Sequence, residues 1–105
     1  MIFFSKFRIN EGVELLDKDD NSIEVILREV YESQDLSREV DLDIIYNGCL
    51  NQIHLSDTQS HNINSGVAIR VERDTKDLFS RGAARISFNF TKDYLLTKKS
   101  YTIPA

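Results

Sequence analysis

The segment 40–55, VDLDIIYNGCLNQIHL, carries the clearest pattern in the chain, with apolar and polar side chains alternating on both sides of an Asn-Gly pair. Such a pair takes up positive φ at both central positions of a two-residue turn, and the twist of that turn suits a β-hairpin. With Asn47 and Gly48 as the turn, Tyr46 pairs with Cys49, Ile44 with Asn51, Leu42 with Ile53, and Val40 with Leu55. One face then holds Val40, Leu42, Ile44, Tyr46, Cys49, Ile53 and Leu55, with Asn51 as its polar member. The opposite face holds Asp41, Asp43, Gln52 and His54 beside Ile45 and Leu50. A slip of one residue would exchange the two sets, so the pattern specifies the register.

Two later runs repeat the alternation. In GVAIRVERD, Val67, Ile69 and Val71 share a face opposite Ala68, Arg70 and Glu72; in ARISFNF, Ala84, Ile86, Phe88 and Phe90 oppose Arg85, Ser87 and Asn89. A period of two with one wet face is the mark of an antiparallel sheet. IFFSKFRI and GVELL read as a further hairpin closed near Asn10 and Gly12, and turn residues cluster at 17–21, 33–37, 56–66 and 81–82. Residues 22–32, SIEVILREVYE, fit two patterns. Ile23, Ile26, Leu27, Val30 and Tyr31 line up on a helical face with Glu24 four residues before Arg28, whereas the concentration of Ile, Val and Tyr favours a strand. The strand reading is preferred because the flanking segments are strands. The predicted fold class is mainly β: one domain over 1–105, an antiparallel sandwich or open barrel of six to seven strands, with 22–32 or a turn near 75–80 as places for a short helix.

At 105 residues, 41% hydrophobic and with ten aromatics, the chain is long enough for one core and too short for two. Cys49 is the single cysteine, which excludes an intrachain disulfide and a four-cysteine zinc site and points to a reducing compartment. Its expected role is that of a small apolar side chain in a strand. The opening MIFF is interrupted by Ser5, Lys6 and Arg8, leaving no apolar stretch for a signal peptide or membrane span. The expected location is the cytoplasm, with no membrane partner.

Charge divides the chain. Residues 11–43 hold twelve acidic and three basic side chains, net −9, whereas 58–105 hold four acidic and eight basic, net +4. Carboxylates usually cover solvated faces, but a segment so charged repels itself, and its clearest physical benefit is to attract and accelerate a positively charged partner. The stretch LLDKDDNSIEV also invites a metal reading, because Asp17, Asp19 and Asn21 take the first, third and fifth positions of a calcium loop. Ser22 then stands where the sharp turn needs glycine, and Arg28 where a bidentate glutamate is required. A turn is the better reading. No metal or cofactor is expected.

Catalytic signatures are absent from the sequence. His54 and His61, with Lys76, Arg81 or Lys92, have the side-chain chemistry of a two-histidine ribonuclease, but no spacing calls for it. Neither a glycine-rich phosphate loop nor Gly-x-Ser-x-Gly nor a His-carboxylate triplet occurs. A non-catalytic protein is therefore expected. The alternative is a small β-barrel that binds single-stranded nucleic acid through its basic C-terminal half, where Arg70, Arg73, Lys76, Arg81, Arg85, Lys92, Lys98 and Lys99 interleave with Phe88, Phe90, Tyr94 and Tyr101. Against it, Phe88 and Phe90 alternate onto the face of Ile86 and so belong to the core, and a pI of about 5.1 opposes phosphate affinity.

In size, charge and lack of a catalytic motif, and through LLDKDDNSIEV and SREVDLDII, the chain resembles the small immunity proteins encoded beside bacterial toxins, such as those of contact-dependent growth inhibition systems. Phage-encoded inhibitors of host enzymes share the same features. The resemblance implies a protein-binding inhibitor whose acidic surface blocks the basic active-site cleft of a cognate toxin, a nuclease in many such systems. An acidic surface set against a cationic cleft mimics phosphate and excludes the substrate. The expected partner-binding residues are Asp17, Asp19, Asp20, Glu32, Asp35, Glu39, Asp41 and Asp43, with Tyr31 as aromatic anchor and Tyr46 assigned to the core. Of these acids, Asp41 and Asp43 share a rigid strand face with His54 and Gln52, whereas Asp17, Asp19 and Asp20 belong to a turn.

Overall fold

In the computed structural model, residues 2–16, 21–32, 37–57, 59–64, 66–72, 82–90 and 97–104 are described. They form the strands β1 (Ile2–Arg8), β2 (Glu11–Leu16), β3 (Ser22–Glu32), β4 (Arg38–Tyr46), β5 (Cys49–Ser56), β6 (Ser60–Asn64), β7 (Val67–Glu72), β8 (Ala83–Phe90) and β9 (Thr97–Thr102). Every pairing is antiparallel, in a four-stranded sheet of order β1-β8-β7-β6 and a five-stranded sheet of order β5-β4-β3-β2-β9. The sheets pack as an open sandwich over a shared core. Phe7, Val67, Ile69, Val71, Ala84, Ile86, Phe88 and Phe90 come from the smaller sheet, facing Val13, Leu15, Ile23, Val25, Leu27, Val40, Leu42, Ile44 and Leu55 from the larger. Each large apolar side chain so buried contributes about 1.5–3 kcal/mol. The mainly β, antiparallel sandwich is the architecture expected from the alternating runs.

The β4–β5 hairpin has the predicted register, with Tyr46 opposite Cys49, Ile44 opposite Asn51, Leu42 opposite Ile53 and Val40 opposite Leu55. Asn47 and Gly48 take φ of 49° and 78°, as a two-residue hairpin turn demands. The apolar face is shorter than predicted, however. Cys49 and Asn51 are exposed, so on β5 the contact with the core is made by Ile53 and Leu55. Residues 22–32 form a strand and not a helix: Ile23, Val25 and Leu27 alternate into the core at 0–2% exposure. After Leu27 the register shifts at a bulge, with Leu27 opposite Leu42 and Glu29 opposite Asp41, so that Arg28 is the extra residue.

The predicted hairpin between residues 2–9 and 12–16 is overturned. β1 pairs with β8, whereas β2 pairs with β3 and β9. Ile9 and Asn10 carry the chain from one sheet to the other, with Asn10 at φ 67°. The amide of Asn10 donates to the Leu27 carbonyl (2.7 Å) and its carbonyl accepts from Ile103 (2.8 Å), which anchors the corner to the larger sheet. A local turn signal cannot tell a hairpin from such a corner, because both need the same backbone reversal. The six to seven strands expected become nine among the described residues. β6 lies inside the polar stretch read as a turn, and β9 is an edge strand in which Lys99, Ser100 and Thr102 are exposed. The helical turn near 75–80 falls outside the described residues.

Candidate functional site

Alternation along β4 decides what the outer face of the larger sheet carries. Val40, Leu42 and Ile44 point inward at 0–1% exposure, so Glu39, Asp41 and Asp43 point outward in a row. Register places His54 opposite Asp41, Gln52 opposite Asp43 and Ser56 opposite Glu39 on β5, and Tyr31 opposite Glu39 on β3. These neighbours form one hydrogen-bonded cluster. Tyr31 Oη donates to Asp41 Oδ2 at 2.7 Å, His54 Nδ1 meets Asp41 Oδ1 at 2.6 Å, and His54 Nε2 meets Glu39 Oε1 at 3.3 Å. Ser56 Oγ donates to the same Glu39 oxygen at 3.1 Å, and the Tyr31 and His54 rings lie 5.6 Å apart, tilted at 48°. Arg28, turned outward at the bulge, meets Asp43 at 3.6 Å. Beside the cluster lies a depression of about 440 Å³ lined by Arg28, Asp41, Asp43, Gln52 and His54, with Leu42 and Ile53.

The charges in the cluster are interlocked. Both nitrogens of His54 face carboxylate oxygens, and both can donate only when the ring is an imidazolium. The hydrogen bond that Asp41 accepts, then the one that Glu39 accepts, accordingly raises the His54 pKa above its ordinary 6.5. The bonds from Tyr31 and then His54 lower that of Asp41, and the Asp41 carboxylate raises that of the Tyr31 phenol. An Asp–His pair of this kind orients an imidazole, but here the second ring nitrogen is held by Glu39 and the Ser56 hydroxyl bonds Glu39 as well. When the ring is protonated, the arrangement holds a cation between two carboxylates. It also offers guanidinium or ammonium groups a ready set of oxygen acceptors and an exposed phenol ring.

Tyr31, Glu39 and Asp41, three of the residues singled out in the sequence, thus come together, with Asp43 next in the row. Glu32 lies apart at the end of β3, paired with the buried Arg38 at 3.4 Å. Asp17, Asp19, Asp20 and Asp35 lie outside the described residues, and with them most of the calcium-loop reading. Tyr46 is half-buried against the core, as expected. His54, Ser56 and Arg28 were not among the expected partner-binding residues. The hairpin register already placed His54 opposite Asp41, whereas Arg28 required knowledge of the bulge. His61 lies on β6 opposite Ile69, in the other sheet, so the two histidines sit on different layers. Among the described residues no three His, Cys, Asp or Glu side chains converge as metal ligands. Comparison of the chain with protein-family models, with characterised proteins and with solved structures gave no match.

Proposed function

We propose that the protein is a non-catalytic, protein-binding inhibitor that lays the outer face of its five-stranded sheet against a basic partner. The observation that carries this reading is the rigid row Glu39, Asp41 and Asp43 on a central strand, with Tyr31 exposed beside it at 45%. A central strand is held on both sides, so its carboxylates need little ordering on association, and an exposed aromatic next to them is the usual composition of an interface hot spot. Together with the resemblance in size and charge, this supports an immunity protein that covers the cationic cleft of a nuclease toxin in the cytoplasm. The partner's cations would compete with His54 and Arg28 for the carboxylates, so binding exchanges one set of charge pairs for another.

The test is capture of the tagged protein's partner from its native lysate at low salt, in parallel with Asp41→Lys/Asp43→Lys, followed by assay of the captured protein on RNA and DNA with and without added inhibitor. The expected result is a basic protein, retained by the wild type and lost by the variant, whose nuclease activity is abolished at equimolar inhibitor. Undiminished nuclease activity in the complex, or equal capture by the variant, would refute the reading.

A further inference from the structure

Among the described residues, the two outer faces of the sandwich differ in sign. In the smaller sheet, Phe4, Lys6 and Arg8 of β1 are exposed while Phe7 is buried, and Arg85 of β8 and Arg70 of β7 are exposed while Ile86 and Ile69 are fully buried. Register sets Lys6 opposite Arg85 on one side, and on the neighbouring pair Arg70 opposite Ser87 and Glu72 opposite Arg85. The basic face is therefore assembled from both ends of the chain. Among the described residues Glu72 is the one acid on this face, and it accepts a hydrogen bond from Ser87 Oγ at 2.7 Å. The Arg85 guanidinium lies over the Phe4 ring, 4.1 Å from its centroid, yet Phe4 remains 46% exposed.

We infer that this face binds single-stranded nucleic acid, with the four cations on phosphates and Phe4 as a stacking surface for a base. Among the described residues this face exposes Lys6, Arg8, Arg70 and Arg85 against the one carboxylate of Glu72, and such an excess of positive charge attracts a polyanion. An acidic peptide would satisfy the cations but leave the aromatic ring unused, whereas every base has a π-face to stack on it. The acidic overall composition does not oppose such binding. The carboxylates of Glu39, Asp41 and Asp43 lie on the outer face of the other sheet, so a phosphate on the basic face meets the cations and not this row.

Fluorescence anisotropy with labelled oligothymidylate and oligouridylate of about 20 nucleotides tests this directly. Four phosphate contacts at about 0.7 counterion each predict that affinity falls roughly 50-fold between 50 and 200 mM salt. Arg70→Glu/Arg85→Glu should abolish most of the binding and flatten the salt dependence, and Phe4→Ala should weaken it by about tenfold. Asp41→Lys/Asp43→Lys, on the other face, should not weaken it, which separates this inference from the inhibitor reading. No binding by the wild type at 50 mM salt would overturn it, as would full affinity in the Arg70→Glu/Arg85→Glu variant. Equal competition by polyglutamate, with Phe4→Ala unchanged, would instead assign the face to an acidic protein and equally overturn it.

Discussion

A histidine whose two ring nitrogens both meet carboxylate oxygens gains stability from its proton. His54 has its folded pKa raised above 6.5, so its contribution is complete below about 6.5 and is lost as pH rises through the higher folded value. Asp41 has its pKa lowered from 3.8, so its contribution is present above that value and is lost as pH falls through the lower folded one. The whole cluster is therefore intact between these two limits. In an NMR titration His54 should titrate above 6.5, and Asp41→Asn should bring it down toward the ordinary value. A His54 that titrates at or below 6.5 in the wild type would contradict the bridging geometry. Arg28 and Asp43 are 3.6 Å apart with side chains 43% and 17% exposed, so an incoming cation has to displace Arg28 to reach a partly buried carboxylate.

At the scale of elements, β9 shows how a polar segment is held as a strand. A Cβ added to Gly12 would lie 2.6 Å from the Tyr101 ring, so the ring passes directly over the glycine on the neighbouring strand. Tyr101 Oη then donates to Glu24 Oε2 at 2.8 Å, and partial burial together with that carboxylate raises the pKa of the phenol. An aromatic laid over a strand glycine restores the packing that the glycine forgoes. Gly12→Ala should displace the ring and cost roughly 1–2 kcal/mol in urea unfolding, through the lost packing and hydrogen bond. In a Tyr101→Ala background the same substitution should be neutral or stabilising, since alanine in a strand is better than glycine. Additive effects in this cycle would mean that the ring and the glycine do not interact.

Across the described residues of the molecule, stability resides between the sheets and charge outside them, the buried Arg38 excepted. Phe88 is fully buried and packs tilted against Phe7, with ring centroids 6.4 Å apart. Phe88→Ala should cost about 3–5 kcal/mol, a large share of a total stability on the order of 5–15 kcal/mol. Arg70→Glu, on an exposed strand position, should stay within about 0.5 kcal/mol of the wild type. Urea midpoints for the two variants check both values, and a small loss in Phe88→Ala would mean that the inter-sheet core is not packed as described. The separation of core from charge lets opposite faces carry opposite sign without destabilising the fold.

The sequence by itself determined the β character, the register of β4 and β5, the burial of Phe88 and Phe90, and the row of Glu39, Asp41 and Asp43 with His54 beside Asp41. All of these follow from a period of two and a two-residue turn, which are local properties. Tertiary structure alone decided where β1 goes, because Asn10 reverses the chain equally well within a sheet or between sheets, and only pairing with β8 and β3 distinguishes the two. It also decided that β6 and β9 are strands, since edge strands with few buried side chains leave little hydrophobic trace. The bulge that turns Arg28 toward Asp43 and the meeting of Lys6 with Arg85 across β1 and β8 depend on long-range register, which no local pattern encodes. Composition averaged the charges into an acidic protein, whereas among the described residues the sandwich sets Glu39, Asp41 and Asp43 on one outer face and Lys6, Arg70 and Arg85 on the other, separated by a core.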